Sequence, residues 1–493
     1  MASEQPQEDT RTIPLKILVD KQRNKVVFVE ATKDFVDTIF SFLSLPLGTI
    51  VRLLSNNNDN NNDQQQRRSQ SSSFLGNIKN LYKTVQNISN DVWNNPFCRH
   101  MLLNPRNPCE SLCMNLFLNV DNSEPSRNNA QNGVFVKENG SLFLVSDDLK
   151  IVPSSSVTSM QLLMELGYSD LTQIEEVTHN IGKQEILNLL KYTLTSHEPL
   201  TNTILGSSSK NKEIPPNQFA STVKVTPCTS DTKKIDVKVI QSKSKKNIVF
   251  AETNGDFVDF IFSFLAVPLG SVVNLLGANN FAGCVGNLYK SVENLDSSWC
   301  TDSRTVLLNP GVAHQFGCRN QPLNIPEVQP PPITYYYGTG TPKQVFTHRV
   351  LWRNYYDTVK AMIEGGVISK SHESIYHAKS LIALDPRSLN GSKEVDMGFV
   401  KRAALYCVEN DLKVKPHSAN SFLLCLKELS LSLDDLEANV ISIGEAEALS
   451  FLGAFLTSRF TLTSGLKDLL SVPKQESTLL DVPKPESTFF MLI

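Results

Sequence analysis

Val27-Phe28-Val29-Glu30-Ala31-Thr32-Lys33-Asp34-Phe35-Val36-Asp37, running on to Pro46-Leu47-Gly48, returns as Val249-Phe250-Ala251-Glu252-Thr253-Asn254-Gly255-Asp256-Phe257-Val258-Asp259, running on to Pro268-Leu269-Gly270. The correspondence continues without a gap to Leu53-Leu54 and Leu275-Leu276. A duplication of this length shows which residues the repeated unit keeps. They are apolar residues, turn formers and helix caps, and no catalytic constellation is among them.

Upstream of this stretch, Leu15-Lys-Ile17-Leu-Val19 and Val26-Val-Phe28 are β-branched runs around a short polar turn, which predicts a hairpin. Val237-Lys-Val239-Ile and Ile248-Val-Phe250 repeat it. A helix is expected next, with Asp34 as N-cap and Asp37 in its first turn. Phe35, Ile39, Phe42 and Leu43 share a face that Val36 and Phe40 widen, so burial on most sides is expected. Pro46 should stop the helix and Gly48 should permit the following turn.

Downstream, Asn80-Leu81-Tyr82-Lys83 matches Asn287-Leu288-Tyr289-Lys290, and Leu102-Leu103-Asn104-Pro105 matches Leu307-Leu308-Asn309-Pro310. A back half then opens at Phe135 and again at Phe399. Leu142 to Pro153 matches Leu405 to Pro416 as two short strands around a polar turn. A helix is expected at about Val157 to Leu166, with its counterpart at about Ser421 to Leu429. Ile181-Gly182 and Ile443-Gly444 should each lead from a strand into a closing helix.

Mixed blocks of strands and helices favour α+β over regular βαβ alternation. The expected organisation is therefore two tandem α+β units with antiparallel hairpins and packed helices, compatible with a β-grasp-like sheet. Unit one spans 13–205, with a front half at 13–120, a back half at 134–205 and an Asn/Gln/Ser-rich insert at 55–73. Unit two spans 223–470, with a front half at 233–325, an insert at 326–395 and a back half at 396–470. The N-terminus 1–12 and the 55–73 insert are expected to be disordered, 206–222 to be a polar linker, and the tail 471–493 to be extended and mobile.

The 493 residues carry a net charge of −3, with 40% hydrophobic and 20% charged residues, as in ordinary soluble proteins. That balance argues against whole-chain attraction to nucleic acid or anionic membranes. No apolar run approaches the roughly 20 residues needed to cross a bilayer. The polar, acidic start resembles neither a secretory signal nor a transit peptide. Nine cysteines without a CxxC pair point to free thiols in a reducing compartment, cytoplasm or nucleus.

The ordered, twice-repeated motifs resemble a plant-specific family known only as domain of unknown function 674. They are Val-Phe-x-Glu…Asp-Phe-Val-Asp…Pro-Leu-Gly, Asn-Leu-Tyr-Lys, Leu-Leu-Asn-Pro and the Leu-x-x-x-x-Asp-Leu-Lys-x-x-Pro segment of each back half. Ala383-Leu384-Asp385-Pro386-Arg387-Ser388 fits as well. The resemblance implies tandem repeats and a plant source, and it supplies no activity. Members of that family often carry paired cysteines between the two halves, suggesting a metal knuckle. This chain has Tyr335-Tyr336-Tyr337-Gly-Thr-Gly there instead.

Glu30, Asp34 and Asp37, with Glu252, Asp256 and Asp259, are the acidic constellation kept in both copies. They could serve acid–base work or hold a hard cation, or simply cap and bracket a helix. None of the eight histidines is matched by histidine in the other copy, which disfavours a repeat-borne base or ligand. Cys98, Cys109, Cys113 and Cys318 are the metal candidates, set against buried thiols as the plain alternative. Lys21 and Arg23, then Lys243, Lys245 and Lys246, make both hairpin turns basic and could contact phosphates bivalently, or merely solvate the turns. Tyr335, Trp352, Tyr355 and Tyr356 could stack bases or pack an insert.

The expectation is a non-enzymatic intracellular interaction or scaffold protein, with a protein partner and no cofactor. An enzyme or metal-dependent binder with one working unit is the alternative. Nucleic-acid binding through the basic turns is a weaker one.

Overall fold

A computed structural model describes residues 11–58, 73–118, 134–206 without 138, 139 and 141, and 233–329 without 282, 283 and 319. It also describes the backbone of 335–339, 367–369 and 376–381, residues 385 and 387, and 398–470 without 419, 421, 422, 424, 425 and 428–430. The linker and the tail expected to be mobile lie outside these residues apart from Gly206, whereas the N-terminus expected to be disordered through 12 enters the first strand at Thr12.

Strands β1 (Thr12–Asp20), β2 (Lys25–Ala31), β3 (Phe143–Ser146), β4 (Ile151–Pro153) and β5 (Ile174–Gly182) form one sheet, ordered β4-β3-β2-β1-β5. Strands β6 (Ile235–Ser242), β7 (Ile248–Thr253), β11 (Tyr406–Glu409), β12 (Val414–Pro416) and β13 (Leu436–Ile443) form a second, ordered β12-β11-β7-β6-β13. The two orders are the same, repeat for repeat. Between β7 and β11 in sequence, β8 (Tyr335–Thr339), β9 (Val367–Ser369) and β10 (Tyr376–Leu381) make a separate three-stranded sheet. The α+β class holds. The β-grasp likeness does not, because that sheet needs a parallel central pair and here β1 meets β5, and β6 meets β13, antiparallel.

Alternation decides which residues face inward. Leu15, Ile17, Val29, Phe143 and Val145 point into one core together with Val237, Val239, Ala251, Tyr406 and Val408 from the other copy. The helices Lys33–Phe40 and Gly255–Ser263 fill that core, with Phe35, Phe42, Phe257 and Phe264 fully buried. The repeats therefore share a contiguous interior. The outer face of each sheet carries a smaller cluster, Val27, Phe28, Leu144 and Leu162 on the first and Ile240, Val249, Phe250 and Cys407 on the second.

The motifs acquire physical reasons. In Asp147-Asp148-Leu149-Lys150 and Asn410-Asp411-Leu412-Lys413, the leucines turn the hairpin at φ +62° and +64°. A left-handed leucine is strained. Burial of both side chains in the core holds it there. Asn-Leu-Tyr-Lys and Leu-Leu-Asn-Pro belong together, since Tyr82 donates to the carbonyl of Leu103 (3.0 Å) and Tyr289 to that of Leu308 (2.8 Å).

Pro-Leu-Gly marks the pseudo-two-fold axis. Pro46 and Pro268 pair as an antiparallel bridge, with Leu47 N donating to Val267 O and Leu269 N to Leu45 O, each at 3.0 Å. Gly48 and Gly270 do not make the expected turn. They lie inside the helices Leu47–Asn58 and Leu269–Leu276, where backbones cross too closely for a side chain. A Cβ on Gly48 would sit 3.0 Å from Leu265 O and 3.2 Å from Leu102 O. The first of these helices also carries regular structure through Ser55–Asn58, where a loop is expected; 59–72 lie outside the described residues.

The segments between the halves cross over. Trp93 bridges Val400 of the second copy, and Lys401 N donates to Val92 O (2.9 Å). Reciprocally, Cys300 bridges Val136 of the first copy, and Lys137 N donates to Trp299 O (2.9 Å). Each tryptophan ring packs on the other copy's phenylalanine, Trp93 on Phe262 and Trp299 on Phe143, both with centroids 5.8 Å apart. Asn287 and Ser291, on the helix Cys284–Asn294, reach the β3–β4 hairpin of the first copy at Asp148 and Ile151. Asn77, on the helix Ser73–Asn87, reaches Phe455 O and Ser458 O of the second.

Candidate functional site

Asp37 and Asp259 are the matched acids that the fold draws inside. Neither sits in a first turn: the helices begin at Lys33 and Gly255, and both aspartates lie on the buried side one turn in. Asp34 is not the cap, because Thr32 and Asn254 precede the helices and Asn254 itself accepts from Asp256 N (3.0 Å).

The Asp37 carboxylate accepts three main-chain N–H groups at the start of the back half. Val134 donates at 2.9 Å, Phe135 at 2.8 Å and Val136 at 2.9 Å. Asp259 accepts from Phe399 (2.8 Å) and Val400 (3.0 Å). Gly398 sits against its second oxygen, so closely that a Cβ there would collide with it. These are clamps that tie the two halves of each copy together.

The other acids have partners of their own. Glu30 accepts from Ser154 Oγ (3.1 Å), Asp34 is exposed beside Lys33, Glu252 pairs with Lys238 and Asp256 with Arg402. The constellation serves separate local bonds instead of converging on one opening.

Burial pushes the Asp37 carboxyl up to about 6 and that of Asp259 up to about 7, against the pull of the amides. An acid raised in this way binds more protons folded than unfolded. Its contribution is fully present below the unfolded value near 4 and is lost as pH rises through about 6 to 7. Urea unfolding should therefore show stability falling as pH climbs across that window. Asp37→Asn combined with Asp259→Asn should flatten the slope, and an unaltered slope would place the titrating groups elsewhere.

Asp147 repeats the arrangement at another joint. It accepts from Thr201 N (2.9 Å) and Thr201 Oγ1 (2.7 Å), while Thr201 Oγ1 accepts from Val26 N. Its counterpart Asn410 likewise accepts from Thr463 N (3.0 Å), but it donates to Thr463 Oγ1 (2.9 Å) and Ile248 O (3.0 Å), while Thr463 Oγ1 accepts from Ile248 N (2.9 Å). A neutral amide does the same work, so charge there is dispensable and a proton-transfer role is not what the pattern retains.

The second copy adds one element. Arg387, fully buried, forms a two-pronged pair with Asp385 (Nε–Oδ1 3.0 Å, Nη2–Oδ2 2.7 Å) and donates to Gly317 O (2.6 Å). Its guanidinium lies over the Phe399 ring, 5.5 Å from the centroid, beside the Asp259 clamp. Nearby, Glu327 binds His314 Nδ1 (2.8 Å) and the amides of Gln315 and Gly317. The Asp-Pro-Arg motif carries no local signal of this anchor, since an arginine next to a matched carboxylate shows only once the chain has folded back.

The thiols are held protonated. Burial pushes Cys98 up to about 12 and Cys113 to about 11, and drives Cys109 and Cys318 higher still. Cys113 contacts Ser44 Oγ and Cys318 the carbonyl of Asp259, each at 3.7 Å. Among the described residues no group of three or more His, Cys, Asp or Glu is placed to hold a metal ion. Nor is any helix among them long and apolar enough to cross a membrane.

The basic turns face acids. Lys21 pairs with Glu175, Arg23 with Asp20 and the Tyr168 ring, and Lys243 donates to Asp434 O (2.8 Å). Lys245 and Lys246 are exposed. Trp352, Tyr355 and Tyr356 lie outside the described residues, as do the side chains of Tyr335 to Tyr337.

A family model described as protein of unknown function (DUF674) matches residues 9–128 and 124–446, and the chain belongs to that family. Comparison with curated proteins and with solved structures gives no match.

Proposed function

We propose that this DUF674-family chain is a non-enzymatic binding protein that presents surfaces to a protein partner inside the plant cell. One observation carries the reading: the buried acids kept by duplication, Asp37 and Asp259, are occupied by main-chain amides. Both carboxyls are buried as well as engaged, so a substrate or a hydrated cation has no open approach to them. The protonated thiols support the same view, because metal ligation and nucleophilic attack both need the thiolate. What duplication preserved is a rigid scaffold, and scaffolds carry function on the surfaces and connecting segments they hold out.

Elemental analysis of the purified full-length chain, paired with incubation in a metabolite extract, tests this. The expected result is metal far below one per chain and no metabolite consumed. Near-stoichiometric zinc, or turnover of any metabolite, would replace this reading with an enzyme or metal-dependent binder. Binding of mixed-sequence nucleic acid that weakens steeply with salt and vanishes on charge reversal at Lys243, Lys245 and Lys246 would replace it with the nucleic-acid reading.

A further inference from the structure

We infer that the outer helix Ser156–Glu165, with the turn and edge strand that follow it, is a docking surface for a basic amphipathic helix of a partner protein. The inference rests on the binding reading and gives it a place and a chemistry.

The helix covers the outer face of the first sheet with Leu162, which packs on Val27, Phe28 and Leu144. Its opposite side has nothing to cover. Val157, Met160 and Met164 stand there at 58%, 57% and 69% exposure. Their spacing of three and then four residues makes one stripe on a helix. Leu171, 56% exposed, lies in the turn that follows. Solvent-facing methionines suit a face that packs against another helix, because the unbranched thioether adapts to different side chains.

Charge selects the occupant. From Ile151 to Gly182 the chain has four carboxylates, Glu165, Asp170, Glu175 and Glu176, and no lysine or arginine. Lys16 stands exposed on the same outer face, in register with Glu30 and Thr178, while Lys21 and Arg23 of the neighbouring hairpin turn are engaged by Glu175 and Asp20. Glu165, Asp170 and Glu176 are left exposed around an apolar stripe. An apolar face flanked by lysines or arginines complements that pattern, whereas an acidic helix or an anionic bilayer is repelled.

The second copy keeps one member of the stripe, with Asn420 and Lys427 at the places of Val157 and Met164. Tyr168 N donates to Leu163 O as Leu431 N does to Leu426 O, which sets Met160 opposite Leu423 in the repeat. Leu423 is 56% exposed, close to Met160. Acids again follow, at Asp434, Asp435 and Glu437.

Fluorescence anisotropy of two labelled synthetic helices against the full-length chain tests the inference. One carries leucines and lysines in amphipathic order, the other leucines and glutamates. The Leu/Lys helix should bind, with affinity falling as salt rises, and the Leu/Glu helix should not. Met160→Asp with Met164→Asp should weaken the Leu/Lys helix about tenfold or more, with the melting temperature unchanged because both side chains are exposed. Phe460→Asp, at a separate exposed apolar site, should leave binding as it was. Equal binding of both helices, or binding indifferent to the methionine changes, would overturn the inference. So would self-association of the free chain that the same changes abolish, since the occupant would then be a second copy. None of these outcomes touches the metal and turnover measurements on which the broader reading stands.

Discussion

A chain cut after the first repeat, near residue 222, should not yield a folded monomer; it should be a dimer or unfolded. Trp93 and its neighbours would lose Val400, Phe399 and Phe262, and the strand end at Val136 would lose Cys300 and Trp299. Pro46 would lose Pro268, and the inner face of the first sheet would lose half of the core that covers it. A second molecule of the fragment can restore all of these by the same reciprocal crossing, because the first repeat carries both the giving and the receiving segments. Sedimentation should show a dimer whose thermal midpoint rises with concentration, since assembly and folding are then one equilibrium. A compact monomer with a concentration-independent transition would contradict the shared core.

Replacing both axial glycines, Gly48→Ala and Gly270→Ala, should destabilise the whole protein by roughly 6 kcal/mol, about 3 for each at the upper end of ordinary overpacking costs. The reason is what the new methyl would meet. At Gly270 it would press on the carbonyls of Leu307 and Leu43, and at Gly48 on those of Leu265 and Leu102. These are main-chain atoms in the best-packed part of the molecule and cannot rotate aside as a surface side chain can. The first carbonyl of each pair belongs to a different copy from the second, so relief at one glycine strains the bridge between Pro46 and Pro268. Denaturant titration would show a lower midpoint with an unchanged slope. Loss below about 1 kcal/mol for the pair would mean the backbones at the axis are further apart than described.

Much of the secondary structure was legible along the chain. Alternation exposed both hairpins, and Ile181-Gly182 and Ile443-Gly444 do lead from strands into the closing helices Lys183–Thr195 and Glu445–Thr457. In each, the glutamate three residues past the glycine accepts the glycine N–H at 2.9 Å. The first copy's outer helix, expected at about Val157 to Leu166, spans Ser156–Glu165; most of its counterpart lies outside the described residues. The cap lies two residues before Asp34 and Asp256 because Thr32 and Asn254 are good cap residues too, and local sequence offers no way to choose between positions where the strand ends. Local sequence makes Gly48 a turn former, because glycine shortly after a helix-stopping proline signals a turn when the chain is considered alone. The six acids looked like a set, because spacing in sequence cannot say which carboxylate turns inward.

The duplication, the α+β class and the positions of the strands and helices followed from the residues themselves, since periodicity and turn chemistry act over a few neighbours. That the copies cross over, share one interior and meet at Pro-Leu-Gly was settled only by tertiary structure. So was the engagement of Asp37 and Asp259 by amides about a hundred residues or more away. Those contacts join residues far apart in the chain, and their energy comes from desolvation and close approach between backbones that no local pattern encodes.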